Sequence, residues 1–229
     1  NGPLAAYGSD EFQGVRRVHL RISSGTVKIS GGESNLTRVD FTKKRYDERC
    51  QLITDQRGDL LYLELSSKSL YSARCEVDFR LKVPRLISLK LKSGNGNFFL
   101  DGIQGPVSAD IGSGRLDLNG KISAFELRSS SGEARVYGLS APASIRTGSG
   151  RVRLVYEKIP AEGKLDILSS SGDAEVYFPK GAKVRTYFAG GSGVLDNLLG
   201  NSEEARFTVS MKTGSGDLRL APSREKEKP

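Results

Sequence analysis

The stretch LKSGNGNFFLDGIQGPVSADIGSGRLDLNGKISAFELRSSSGEARVYGLSAPASIRTGSGRVRL, residues 91–154, says one short phrase four times, with Gly96, Gly114, Gly132 and Gly150 spaced 18 residues apart. Further copies follow at Gly172, Gly193 and Gly216, as SSGDAEV, GGSGVLD and GSGDLRL, at the longer spacings of 22, 21 and 23. Self-similarity at such a period marks a stacked architecture in which each unit buries its apolar face against its neighbours.

Within the unit the period is two. Two residues after each phrase glycine stand Phe98, Leu116, Ala134, Val152, Ala174, Leu195 and Leu218, and four residues after stand Leu100, Leu118, Val136, Leu154, Val176, Asn197 and Leu220. Alternation of this kind puts both columns on the inward face of a strand. A second strand carries Val107, Phe125, Ala143, Leu165, Thr186 and Val209, then Ala109, Leu127, Ile145, Ile167, Phe188 and Met211. A row of small hydroxyl residues, Ser129, Thr147 and Ser169 among them, leads into each phrase turn, where it can bond the turned backbone. The pattern predicts an all-β fold: a single-chain parallel β-solenoid of about seven coils, two main strands per coil, stacked in the order of the sequence. In that stack Arg115, Glu133, Arg151 and Asp173 form an outward charge ladder of alternating sign.

Outward from the repeat, residues 12–85 hold weaker but persistent alternation and read as a less regular N-terminal β region or cap, with 86–221 as the solenoid. Residues 1–11 and the charged stretch 222–229 read as terminal tethers. The later repeats gain their extra residues between strands, in YEKIPAEGK, YFPKGAK and NLLGNSEEAR. Such loops lie along one side of a stack, so Tyr156, Lys158, Lys164, Tyr177, Lys180 and Lys183 are candidate ligand contacts. Tyr137 and Tyr187 recur near the same edges. The two cysteines, Cys50 and Cys75, are 25 residues apart, close to one coil with a longer loop; that spacing puts them on stacked neighbouring strands within bridging distance, two buried free thiols being the alternative.

The chemistry of catalysis is hard to find here. His19 is the single histidine, in the alternating run VHLRI, and one His with two separated Cys matches no zinc pattern. The glycine phrases lack the spacing of a phosphate loop. They also lack an Asp two residues after the last glycine, where a calcium-binding repeat needs one. No catalytic, metal or cofactor residues are assigned. The carboxylate pair Asp173 and Glu175 suits an enzyme on acidic polysaccharide, but a solvated ladder explains it as well. The formal net charge of +8 favours anionic partners. The basic residues are interspersed with acids, against a nucleic-acid stripe, and no apolar run spans a membrane.

The run VDFRLKVPRLISLKLKSGNGNFFLDGIQGPVSADIGSGRLDL, residues 77–118, with its Val83–Pro84 step and the SGSG and SSSG turns that follow, resembles the bacterial putative-adhesin family of β-strand repeat domains of unknown function. The likeness covers Phe12 to Leu220. It implies an extracytoplasmic module of the periplasm, cell surface or exterior, and no catalytic residues. The expectation is a monomeric, non-enzymatic binding or adhesion-like module whose partner is a glycan or an envelope protein. A structural or sensory envelope domain is the third reading.

Overall fold

The structure, a computed structural model, describes residues 6–68 and 75–224. Eighteen strands fill these residues, and no helix occurs among them. They are β1 (Tyr7–Gln13), β2 (Arg17–Gly32), β3 (Leu36–Arg45), β4 (Cys50–Arg57), β5 (Leu60–Ser67), β6 (Glu76–Pro84), β7 (Ser88–Ile103), β8 (Val107–Ile122) and β9 (Phe125–Ser129). Then follow β10 (Glu133–Leu139), β11 (Ala143–Thr147), β12 (Val152–Tyr156), β13 (Gly163–Ser169), β14 (Ala174–Phe178), β15 (Arg185–Gly190), β16 (Leu195–Asn197), β17 (Phe207–Thr213) and β18 (Leu218–Pro222).

The period-two columns form the interior. Phe98, Leu116, Ala134, Val152 and Ala174 are buried and lie opposite one another on adjacent strands. Each winding is one strand, a corner at the phrase glycine and a second strand. In β2, β7 and β8 a single 16-residue strand runs round the corner. At the corners of the middle windings the Ser129, Thr147 and Ser169 hydroxyls donate to the carbonyls of Gly132, Gly150 and Gly172 at 2.7, 3.1 and 2.6 Å. These buried bonds satisfy carbonyls that the turn removes from the ladder.

First strands and second strands build two files. The first runs β4, β5, β2, β7, β8, β9, β11, β13, β17, β15. The second runs β1, β3, β6, β2, β7, β8, β10, β12, β14, β18, β16. Pairing is parallel through the middle but antiparallel at β1–β3, β3–β6 and β4–β5, so the sheet is mixed and the expectation of an all-parallel stack is corrected. The cause is local. β4 and β5 are joined by a tight turn at Gly58, φ +60°, which folds the chain back on itself instead of round the core.

The stacking order is a second correction. β17 and β18 sit directly on β13 and β14, while β15 and β16, earlier in sequence, lie outside them. Leu218, not Leu195, is therefore the neighbour of Ala174. The N-terminal end mirrors this. β2 stacks directly on β7, and the intervening β5 and β6 lie on its outer side. The winding that contains β2 and the one made of β17 and β18 are thus interior, and β5–β6 and β15–β16 cover them from outside.

Residues 7–11 also depart from the tether expected of them. β1 pairs with β3 along Tyr7 to Gln13, an edge strand so exposed that it carries no alternation to read. Residues 1–5 and 225–229 of the two expected tethers lie outside the described residues. Pro222, first residue of the expected tail, still pairs with Phe178.

Cys50 and Cys75 are disulfide-bonded, with Cα atoms 5.6 Å apart. The route differs from the one their spacing suggests. Cys50 opens the antiparallel β4, opposite Ser67, and Cys75 stands at the corner before β6, so the bridge ties the hairpin to the first buried corner of the N-terminal excursion. Closing a 25-residue separation contributes roughly 3 to 4 kcal/mol through the unfolded chain.

Six residues after the phrase glycine the two kinds of winding part company. The 18-residue windings place Gly102, Gly120 and Gly138 there; the longer ones place Tyr156 and Phe178. Gly102 and Gly138 adopt φ of +69° and +91° at register shifts that turn the chain sharply off the second file. A Cβ on Gly138 would stand 1.6 Å from the Gly120 carbonyl oxygen. Where the loops are longer the corner opens, and the Tyr156 and Phe178 rings fill it, stacked at 4.8 Å, with Phe207 tilted against Tyr156 at 5.6 Å.

Candidate binding furrow

The outer face of the second file is a sheet surface whose side chains stand one strand apart, roughly 4.8 Å. Register places one outward row in the order Asp40, Arg80, Lys28, Phe99, Asp117, Arg135, Arg153, Glu175, Arg219, Asp196. Its acids are largely committed. Arg115 grips Asp117 through two nitrogens at 2.8 and 3.0 Å, and Asp40 is held below its ordinary carboxylate range first by a hydrogen bond from Ser9 and then by Arg38 at 3.2 Å. Glu175 lies 3.9 Å from Arg153 and accepts the Tyr177 hydroxyl at 3.1 Å.

Three cations of the row are left over. Among the described residues Lys28, Arg80 and Arg135 make no ion pair, and all three are exposed. Between them stands Phe99, 37 % exposed at an outward position whose flanking residues in the row are charged. These groups line a furrow of about 480 Å3 together with Tyr137 and Asn119. The furrow continues past Asp101 and Tyr137 to the corner, where Gly102, Gly120 and Gly138 offer bare backbone as a floor.

The alternating ladder runs on the neighbouring row. Glu133 lies opposite Arg115, and Arg151 approaches Asp173 to 4.0 Å. Beyond Asp173 the revised order brings up Asp217, a like charge. The clash is relieved by backbone: the Asp217 N–H donates to Asp173 Oδ1 at 2.9 Å and the Val194 N–H donates to Asp217 Oδ1 at 2.8 Å. Each acid thereby caps the next winding.

The loop contacts expected from sequence divide. Each long loop does join the end of a second-file strand to the next first-file strand, on one side of the stack, and Lys158, Lys164, Lys180 and Lys183 are exposed there. Tyr156 and Tyr177 are not surface contacts. Tyr156 is 1 % exposed, its hydroxyl donates to the Ala141 carbonyl at 3.1 Å, and burial pushes its phenol well above the usual tyrosine range. Tyr177 is buried under Arg153, whose guanidinium lies 4.9 Å from the ring centroid. Tyr187 is exposed on the outermost strand, β15, far from the furrow in strand order.

His19 lies on the outer face of the first file, opposite Lys90 and Tyr62. Burial, then Lys90, then Arg17 lower its pKa from 6.5. The unfolded chain therefore takes up a proton that the folded chain refuses, and stability falls as the pH drops through 6.5. His19→Gln is expected to flatten the urea midpoint between about pH 7 and 5. An unchanged slope would show that the imidazole titrates alike in both states. No group of three or more His, Cys, Asp or Glu residues is placed to hold a metal ion among the described residues.

The pattern of the Toastrack DUF4097 family matches residues 13–221. The crystal structure of a putative adhesin from Parabacteroides merdae superposes with a TM-score of 0.51 at 10 % identity, over 95 % of this chain and 96 % of that one. That of a putative adhesin from Bacteroides fragilis does so with 0.51 at 12 % identity, over 95 % and 98 %. At this identity the likeness is one of fold. No curated protein matches the chain.

Proposed function

The chain belongs to the Toastrack DUF4097 family, and from that premise we propose that it is a non-enzymatic, extracytoplasmic binding or adhesion-like module of the bacterial envelope, holding its partner on the outer face of the second file. In this reading the seven glycine phrases open about seven coils of a solenoid whose rigid stack presents that face. The observation that carries the proposal is the set of unpaired cations, Lys28, Arg80 and Arg135, around exposed Phe99. Cations without an ion-pair partner, grouped around an exposed ring, suit an anionic partner. The Cys50–Cys75 bridge supports an oxidising compartment, and the names of the two structural neighbours point the same way. The loop lysines Lys158, Lys164, Lys180 and Lys183 are secondary contacts along the flank.

Retention of the purified protein on isolated bacterial envelopes tests this. The parent chain is expected to be retained, and a variant with Lys28, Arg80 and Arg135 all changed to Ala should bind at least about tenfold more weakly without loss of melting temperature. Equal retention of the two proteins would rule out this face.

A further inference from the structure

We infer that the ligand of the furrow is an acidic polysaccharide lying along the stack, across the strands; this rests on the binding reading above and names its partner. The first argument is span. Arg80, Lys28, Phe99, Asp117 and Arg135 occupy successive strands, so the unpaired cations extend over four strand spacings, roughly 19 Å. A single small anion occupies one end of such a row; a polymer with repeated acidic groups occupies all of it. Strand spacing is also close to the rise of one pyranose unit in an extended chain, so successive sugars meet successive strands.

The second argument is the ring. Phe99 lines the trough between charges, where a sugar ring can pack on it while acidic substituents of the units before and after it reach Lys28 and Arg135. The third argument separates this ligand from other polyanions. Asp101 and Asn119 line the same trough, with Asn119 Nδ2 donating to Asp101 Oδ1 at 3.2 Å, and Asp117 sits beside Phe99. Carboxylates accept hydrogen bonds from sugar hydroxyls, donors that a DNA backbone does not offer. A polyanion rich in hydroxyl groups satisfies both halves of the surface.

Titration calorimetry with oligogalacturonate, its neutral methyl ester, dextran sulfate, single-stranded DNA and phosphatidylglycerol vesicles tests the inference. Binding is expected for the uronate or the sulfated glycan, weakening with salt, and lost with the methyl ester. Phe99→Ala and the pair Arg80→Ala with Arg135→Ala should each weaken it at least about tenfold, with one cooperative unfolding transition kept because all three positions face outward. Binding to neither acidic glycan, binding that ignores Phe99, or binding to DNA or vesicles alone overturns it. If envelope retention still depends on Lys28, Arg80 and Arg135 while both acidic glycans fail, the binding module stands and this ligand falls.

Discussion

Gly138→Ala is expected to lower the unfolding free energy by at least about 4 kcal/mol, a fall in melting temperature of roughly 8 to 16 °C for a chain of this size. Two effects add. An L side chain at φ +91° is strained, by about 1 to 2 kcal/mol. The larger part is collision, since the new Cβ would lie 1.6 Å from the Gly120 carbonyl oxygen, which is backbone and has no rotamer to escape into. Relief requires one winding to move off the next, breaking the register of β10 with β8. Gly181→Ala is the control: its φ is +82°, but nothing stands within 4 Å of the added carbon. Urea denaturation of both variants separates strain from collision. Equal losses would show that the corner does not depend on backbone contact.

Tyr156→Ala carries the second large effect, about 4 kcal/mol, because it empties the space that Phe178 and Phe207 share with it. The ring closes β12, β14 and β17 together at the loop side, where the longer repeats have abandoned the glycine corner. Tyr156→Phe keeps the ring and removes only the bond to the Ala141 carbonyl, so about 1 kcal/mol is expected. The ratio of the two losses in denaturant titrations is diagnostic. A Phe variant as unstable as the Ala variant would place the stabilisation in the hydroxyl, and an Ala variant close to the parent would remove Tyr156 from the core.

The interior was legible in the sequence because alternation reports which side of a strand is dry, and Leu116, Ala134 and Val152 meet as their column requires. Alternation does not report which strand lies alongside which. Leu195 and Leu218 fit one column equally, and only pairing tells them apart. A sign of the order was nonetheless present: Thr186 and Asn197 are the polar side chains of the otherwise apolar inward columns, and they belong to β15 and β16, which have a neighbour on one side only. Parity also decided Tyr156, whereas Tyr177, at an odd offset from Gly172, faces outward and is buried by Arg153. Tyr156 lies an even number of residues beyond Gly150 and points inward, so its place beside a long loop said little about exposure. The furrow's signal was Phe99, a ring in an outward column of charges. What the sequence hid was the commitment of each acid: Asp117 goes to Arg115 and leaves Arg135 free, a choice made by side-chain geometry across two strands.

The interior position of the winding made of β17 and β18 sets a constraint on how the molecule is made. A ribosome delivers β15 and β16 before β17 and β18, yet the finished stack has the later pair wedged beneath the earlier one. The lodging on β13 and β14 must stay vacant, or be surrendered, until β17 and β18 leave the exit tunnel. The stack is therefore closed by a segment made after the one that covers it, and a nascent protein stopped at residue 206 has the covering strands but not the pair beneath them.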